Sequence, residues 1–171
     1  MTAINSLAEL IRSHGAERAD KPAITFGDRV ISFGELHARS SQVAQALLAE
    51  GVGEHERVAI LDKNSVEYFE LLFGGGKLNA VNVSVNWRLA APEIAQILDD
   101  SDAKVLVVGA EFVDVLDAIA DQLTKVSKIV VVGGHAGYDS FESWVDARPA
   151  PDTDTTASPS GVGLQLERQS T

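Results

Sequence analysis

Residues 57–89, RVAILDKNSVEYFELLFGGGKLNAVNVSVNWRL, decide the fold. Residues 57–61 form a short, nearly all-apolar run, the pattern of a strand buried on both faces. Asn64 is placed to cap a helix, and Glu67 stands three residues on, where a capping-box partner belongs. Tyr68, Leu71, Leu72 and Leu78 then share one helical face. Val81, Val83 and Val85 alternate with Asn82 and Ser84, the period of a strand with one covered face. Strand, helix and strand make a βαβ unit, and Trp87-Arg88 follows its second strand.

Working outward, the preceding chain supplies two helices and a hairpin. Ile4, Leu7, Ala8 and Ile11 fall at helical spacing, predicting an amphipathic helix over 4–13 that ends at His14-Gly15. Gly27-Asp28 between apolar runs at 23–26 and 29–31 predicts a two-residue hairpin. Ser32 with Glu35 forms a capping-box pattern, opening a helix through Leu36, Val43, Leu47 and Leu48 that stops at Gly51. Beyond the βαβ unit, Pro92 begins a helix with Ile94, Ile97 and Leu98 inward. Residues 104–108 read as a buried strand. Phe112, Val115, Leu116 and Ile119 mark a helix, and residues 129–132 a further strand closed by Gly133-Gly134. Ser140 caps a short helix carrying Phe141 and Trp144.

These elements predict an α/β fold: a mostly parallel sheet with helices on both faces, and the hairpin as an antiparallel edge. Residues 1–146 read as one incomplete α/β subdomain. Residues 147–171 read as a Pro/Thr/Ser/Asp-rich linker or disordered tail, with a strand beginning near Leu164. A length of 171 residues suits one domain. A net charge of −11 argues against nucleic acid and anionic membrane surfaces as partners. The chain has no cysteine, which removes disulfides and thiolate chemistry. With no signal-peptide pattern and no apolar run of ~18 residues, the expectation is a cytoplasmic protein without a membrane span.

The motifs carry little chemistry by themselves. Gly74-Gly75-Gly76-Lys77 lacks the spacing and the Ser/Thr of a phosphate loop, and reads as a helix weakened by about 1 kcal/mol per glycine. His14, His37, His55 and His135 stand apart and read as surface or loop residues, with no metal site. Asp99, Asp100 and Asp102 lack calcium-loop spacing and read as a solvated turn. No G-x-S-x-G elbow occurs, and no catalytic residue is assigned. Trp87-Arg88 lies at a strand's carboxyl end, where open α/β sheets bind ligands. Position alone favours an exposed arginine beside a packing tryptophan over a phosphate grip.

Residues 22–108 carry a joint pattern: the hairpin followed by Phe-x-Glu-Leu, Gly-Val-x-x-x-x-Arg-Val-Ala, Asn-Ser-x-Glu, Asn-x-Arg-Leu and Glu-Ile-x-x-Ile-Leu-x-Asp-Ser. In order and spacing this resembles the N-terminal part of the adenylate-forming acyl-CoA synthetases, and among them the bacterial fatty-acyl-CoA ligases. The resemblance implies an enzyme that uses ATP and Mg²⁺ to form an acyl-adenylate and then passes the acyl group to CoA. It implies a whole enzyme roughly three times this length, whose TSGTTGxPKG-type phosphate loop lies beyond residues 161–166, GVGLQL, where ERQST ends the sequence. The expectation is therefore a truncated fatty-acyl-CoA ligase, inactive alone and needing no cofactor itself. ATP, Mg²⁺, CoA and fatty acid belong to intact relatives. The alternatives are a subunit of a split ligase, with a partner polypeptide or self-association, and a non-enzymatic CoA- or acyl-binding module. The resemblance also implies that Arg88 contacts CoA phosphates. The sequence departs from the family at Gly74-Gly75-Gly76, at Asn79 where glycine is usual and at Ser84 where proline is usual, which predicts a less stable fold.

Overall fold

The computed structural model describes residues 4–152 and the backbone of 164–165. In chain order the elements are α1 (Leu7–Glu17), β1 (Pro22–Phe26), β2 (Arg29–Ser32), α2 (Phe33–Ala49) and β3 (Arg57–Leu61). They continue as α3 (Val66–Lys77), β4 (Val81–Ser84), α4 (Ala91–Ser101), β5 (Val105–Gly109), α5 (Val113–Ile119) and β6 (Lys128–Val132). The last are β7 (Asp139–Ser140), α6 (Phe141–Asp146) and β8 (Leu164–Gln165). Most of the expected linker and tail, residues 153–163 and 166–171, falls outside the described residues.

Six strands form one sheet in the order β7-β6-β5-β3-β4-β8, and every pairing is parallel. Even-numbered residues of β3 face one layer and odd-numbered residues the other. Val58 and Ile60 pack with Val43, Leu47, Leu71, Phe141 and Trp144 from α2, α3 and α6. Ala59 and Leu61 pack with Ile94, Leu98, Val113 and Leu116 from α4 and α5. Burial on both faces is what the unbroken apolar runs of β3 and β5 require.

The hairpin is not an edge of this sheet. β1 and β2 form their own antiparallel pair beside α2. The reason is local: Ser32 ends β2 and also caps α2, with its hydroxyl accepting from Glu35 N while the Glu35 carboxylate accepts from Ser32 N. Bonds from Phe33 N to Lys21 O and from Gly34 N to Ala19 O tie the hairpin's root to α2. Two other boundaries differ from expectation. Ser65, not Asn64, caps α3 and accepts from Tyr68 N. Helix α1 begins after Ser6, whose hydroxyl accepts from Glu9 N, and it runs through His14-Gly15 to Glu17.

The glycines of α1 and α3 permit close approach between helices. A Cβ on Gly15 would stand 2.8 Å from His37 Cβ of α2. On Gly74 it would stand 2.6 Å from Val43 Cγ1 and 3.1 Å from the Ser40 carbonyl oxygen. On Gly75 it would meet the Asn82 side chain at 2.8 Å. The run expected to weaken α3 is therefore the surface on which α2 and β4 seat. The same contact buries Glu70, whose Oε1 lies 3.5 Å from Arg39 Nε while its Oε2 has no hydrogen-bond partner among the described residues. Arg39 also pairs with Asp146 of α6, and Arg29 of the hairpin pairs with Glu67 at 2.9 Å. Burial pushes the Glu70 carboxyl up to about 7, against the opposing pull of Arg39.

Two predictions follow from this packing. Gly74→Ala adds an overpacking cost of about 1–3 kcal/mol against about 1 kcal/mol regained in helix propensity. Urea unfolding should show a net loss of up to about 2 kcal/mol, and a gain in stability would refute the close approach. Because its folded pKa lies above the ordinary 4.5, Glu70 contributes most to stability below that value, and its contribution falls as pH rises to about 7. Glu70→Gln should flatten the pH dependence of unfolding free energy across that window, and an unchanged slope would show that Glu70 does not titrate there.

Candidate functional site

The cleft at the carboxyl ends of β3 and β4 is set by topology. β3 leads into α3 on one face of the sheet, while its neighbour β4 leads into α4 on the other. The connections thus diverge and leave a crevice, the position where open α/β sheets take ligands. The cleft has a volume of about 720 Å³. Asp62, Lys63 and Asn64 form one wall, Tyr68 and Ser84 the floor, and the turn from Val85 to Arg88 the other wall beside Ile97.

Asn86 shapes that turn by accepting from Arg88 N at 3.1 Å through its side chain and from Leu89 N at 3.2 Å through its carbonyl. Trp87 is half-buried, with its ring centroid 5.9 Å from that of Phe112. The exposed Arg88 guanidinium lies 4.0 Å from the Trp87 centroid and makes no ion pair among the described residues. Lys63 Nζ lies 5.0 Å from the same centroid and pairs with Glu111 at 2.5 Å. In a chain of net charge −11, two cations on one aromatic ring make this corner suited to an anion. On the floor, the Tyr68 and Ser84 hydroxyls are 3.1 Å apart. Asp62 is half-buried and accepts from Lys63 N at 2.7 Å. Its carboxyl is held above the ordinary range by burial, against hydrogen bonds from Lys63 N and Ser65. A Cβ on Gly109 of β5 would fall 2.2 Å from Asp62 Oδ1, so the strand's last residue leaves room for that carboxylate.

The other residues singled out in the sequence lie elsewhere. Lys77 is buried at the end of α3, and the glycines before it are helical. His55 and His135 are exposed, but His14 and His37 are half-buried within α1 and α2, where their helices meet neighbours. His14 sits edge-on to Phe33 at 4.9 Å. Asp99 and Asp102 are bridged by Lys125, at 3.6 and 2.6 Å, and Asp102 also pairs with Arg57 at 2.9 Å. Among the described residues no three His, Cys, Asp or Glu side chains gather as metal ligands. No described helix is long and apolar enough to cross a membrane. Asp62, Lys63 and the Tyr68–Ser84 pair were not singled out in the sequence, because only the return of β4 beside β3 brings them together.

With the geometry in place, comparison with known proteins is decisive. The sequence matches the AMP-binding enzyme family over residues 11–161. The chain belongs to this family. The chain is 34% identical over 160 residues to the fatty acid–[acyl-carrier-protein] ligase ScoC of Streptomyces coeruleorubidus, a match covering 91% of this chain and 30% of that protein. It is 44% identical over 92 residues to the long-chain-fatty-acid–CoA ligase FadD13 of Mycobacterium tuberculosis, covering 54% of this chain and 18% of that protein. It superposes on the crystal structure of the N-terminal domain of FACL13 from Mycobacterium tuberculosis with a TM-score of 0.81 and 29% identity, covering 90% of this chain and 39% of that one. The chain thus corresponds to an N-terminal portion of the AMP-binding enzymes it matches and spans less than a third of the length of these curated relatives.

Among the described residues the Arg88 side chain is held by stacking alone, so it should be separable from folding. Arg88→Ala in this AMP-binding portion should change unfolding stability by no more than about 1 kcal/mol. A larger loss on thermal or urea unfolding would assign Arg88 a structural role.

Proposed function

We propose that this chain is the N-terminal portion of a fatty-acyl-CoA ligase, that its cleft contributes Arg88 to the binding of CoA phosphates, and that the 171-residue chain does not adenylate fatty acids by itself. The observation that carries the reading is Arg88, exposed, laid on Trp87 and free of any described ion pair, at the rim of the cleft. A guanidinium held in this way presents its donors as a planar fork to a phosphate. The names of the curated relatives, fatty-acid ligases among them, supply the substrate class.

The cleft fits a CoA phosphate better than it fits ATP with Mg²⁺. Asp62 is the one carboxylate among the lining residues, and its Oδ1 already accepts from Lys63 N, which leaves little for a hard divalent cation. The 171-residue sequence contains no TSGTTG-type loop, so this chain lacks the backbone amides and hydroxyls that such a loop presents to phosphates. A second reading, a split ligase completed by another polypeptide, is supported by the exposed apolar side chains of Phe26 and Val30 on the hairpin. Recovery of a co-purified polypeptide bearing a TSGTTG-type loop would favour it.

Titration calorimetry with CoA should give weak binding, with a Kd of ~1 mM, reduced at least fivefold by Arg88→Ala and in dephospho-CoA. ATP–pyrophosphate exchange with fatty acids should stay at background. CoA binding indifferent to Arg88 would remove the proposed role, and clear exchange by the purified chain would overturn its inactivity.

A further inference from the structure

A second polar site lies at the opposite end of the sheet. In a parallel βαβ unit the helix runs back against its strands, so the last turn of α3 sits at their amino ends, away from the cleft. There Lys77 is fully buried. Its Nζ lies 3.0 Å from His37 Nδ1, 3.1 Å from the His37 carbonyl oxygen and 2.5 Å from Ser41 Oγ, all on α2. Asp152 Oδ1 approaches it at 3.2 Å. Arg12 of α1 binds the same carboxylate, with Nε 2.5 Å from Oδ2 and a terminal nitrogen 3.5 Å from Oδ1. The chain leading to Asp152 lies along α2, where Gln42 Nε2 donates to Arg148 O at 3.0 Å and Gln45 Nε2 to Pro151 O at 3.5 Å.

Three helices thus wall a pocket around one buried ammonium. Helix α2 supplies neutral acceptors for its protons, and the carboxylate of Asp152 supplies compensating charge. A buried cation without such a counter-charge is strongly disfavoured. We propose that Arg12, His37, Ser41 and Lys77 form a carboxylate-binding socket whose occupant is Asp152, and that this clasp holds the segment from α6 to Asp152 along α2. The ligand class is a side-chain carboxylate, and the occupant is a segment of the same chain. The clasp concerns the sheet's amino end and does not rest on the assignment of CoA to the cleft.

The socket has a defined charge state. Its ionisable groups among the described residues are Arg12 on α1, His37 on α2, Lys77 on α3 and Asp152. Burial, reinforced by the Lys77 charge, lowers the His37 pKa, which keeps the imidazole neutral and able to accept at neutral pH. For Asp152, burial acts upward, but the Arg12 hydrogen bond and the Lys77 charge outweigh it and hold the carboxyl below its ordinary value. Burial lowers Lys77 to about 8, against the pull of Asp152. The clasp therefore loses its central charge as pH rises through about 8. Global stability moves the other way: between about 8 and the ordinary 10.5 the unfolded chain binds more protons at this lysine, so its contribution to folding rises with pH. Loosening of the segment while the body gains stability separates clasp release from general alkaline unfolding.

The test uses the full chain and Asp152→Asn, a change at a partly exposed side chain that leaves the helices intact. Selective ¹⁵N-lysine NMR should find the Lys77 ammonium titrating near 8 in the parent. In the variant the midpoint should fall by about one unit, a tenfold shift in proton affinity. Hydrogen exchange read by mass spectrometry should quicken severalfold in the peptide containing residues 148–152, with α2 and α3 unchanged. A Lys77 midpoint indifferent to Asp152→Asn would overturn the socket. A shifted midpoint with unaltered exchange at 148–152 would overturn its hold on that segment.

Discussion

The close approach of α2 to α3 at Gly74 is the constraint on which the rest of this molecule depends. Without a side chain there, Val43 and the Ser40 carbonyl move in against the α3 backbone. That brings Leu47 and Leu71 down together over Val58 and Ile60 of β3. It also decides what happens to the polar residues on the same helical face. Glu70 and Lys77 stand four before and three after Gly74, so one contact buries both. The buried pairs with Arg39 and Asp152 are consequences of that geometry, since each charge taken from water needs a partner.

The two ends of the sheet are used differently. At the carboxyl ends the divergent connections after β3 and β4 leave open space, and most side chains facing it are exposed or half-buried. At the amino end of β4 the helices converge and close over a lysine. The arrangement separates an open rim, where Arg88 rests on Trp87, from an internal polar site occupied by the protein's own carboxylate.

The parallel α/β architecture was legible because its strands are unbroken apolar runs and its helices carry marked caps. Ser32 with Glu35 and Ser140 behave as their spacing indicated. Position Arg88 was also legible, since a residue just past a strand in a βαβ unit must lie at the sheet's carboxyl end. Less legible were features that depend on what packs where. The hairpin's separation from the main sheet follows from Ser32 serving both β2 and α2. The choice of Ser65 over Asn64 turns on a single residue of helical phase. The glycine run read as a weakness because helix propensity sees only the helix itself, while its value lies in α2 and Asn82. The substitutions relative to the family have local accommodations: Asn79 takes the left-handed conformation that glycine would, with φ of 55°, and the Ser84 hydroxyl meets that of Tyr68. Lys77 carried one usable signal, its spacing of three from Gly74 on the buried face.

The position of β8 fixes an order of assembly. β3, β4, β5 and β6 follow one another with single helices between, so each finds its neighbour after a short crossover. β8 instead pairs with β4, although two further strand–helix units and the whole of α6 intervene in the chain. Closing so long a loop carries a larger entropic cost than any other parallel pairing in the sheet. On a ribosome the four central strands would be synthesised and able to dock before Leu164 and Gln165 emerge, so the β4 edge waits unpaired while the rest of the sheet consolidates. An unpaired edge beside the ligand cleft is the interval in which a nascent chain is open to pairing with the wrong neighbour.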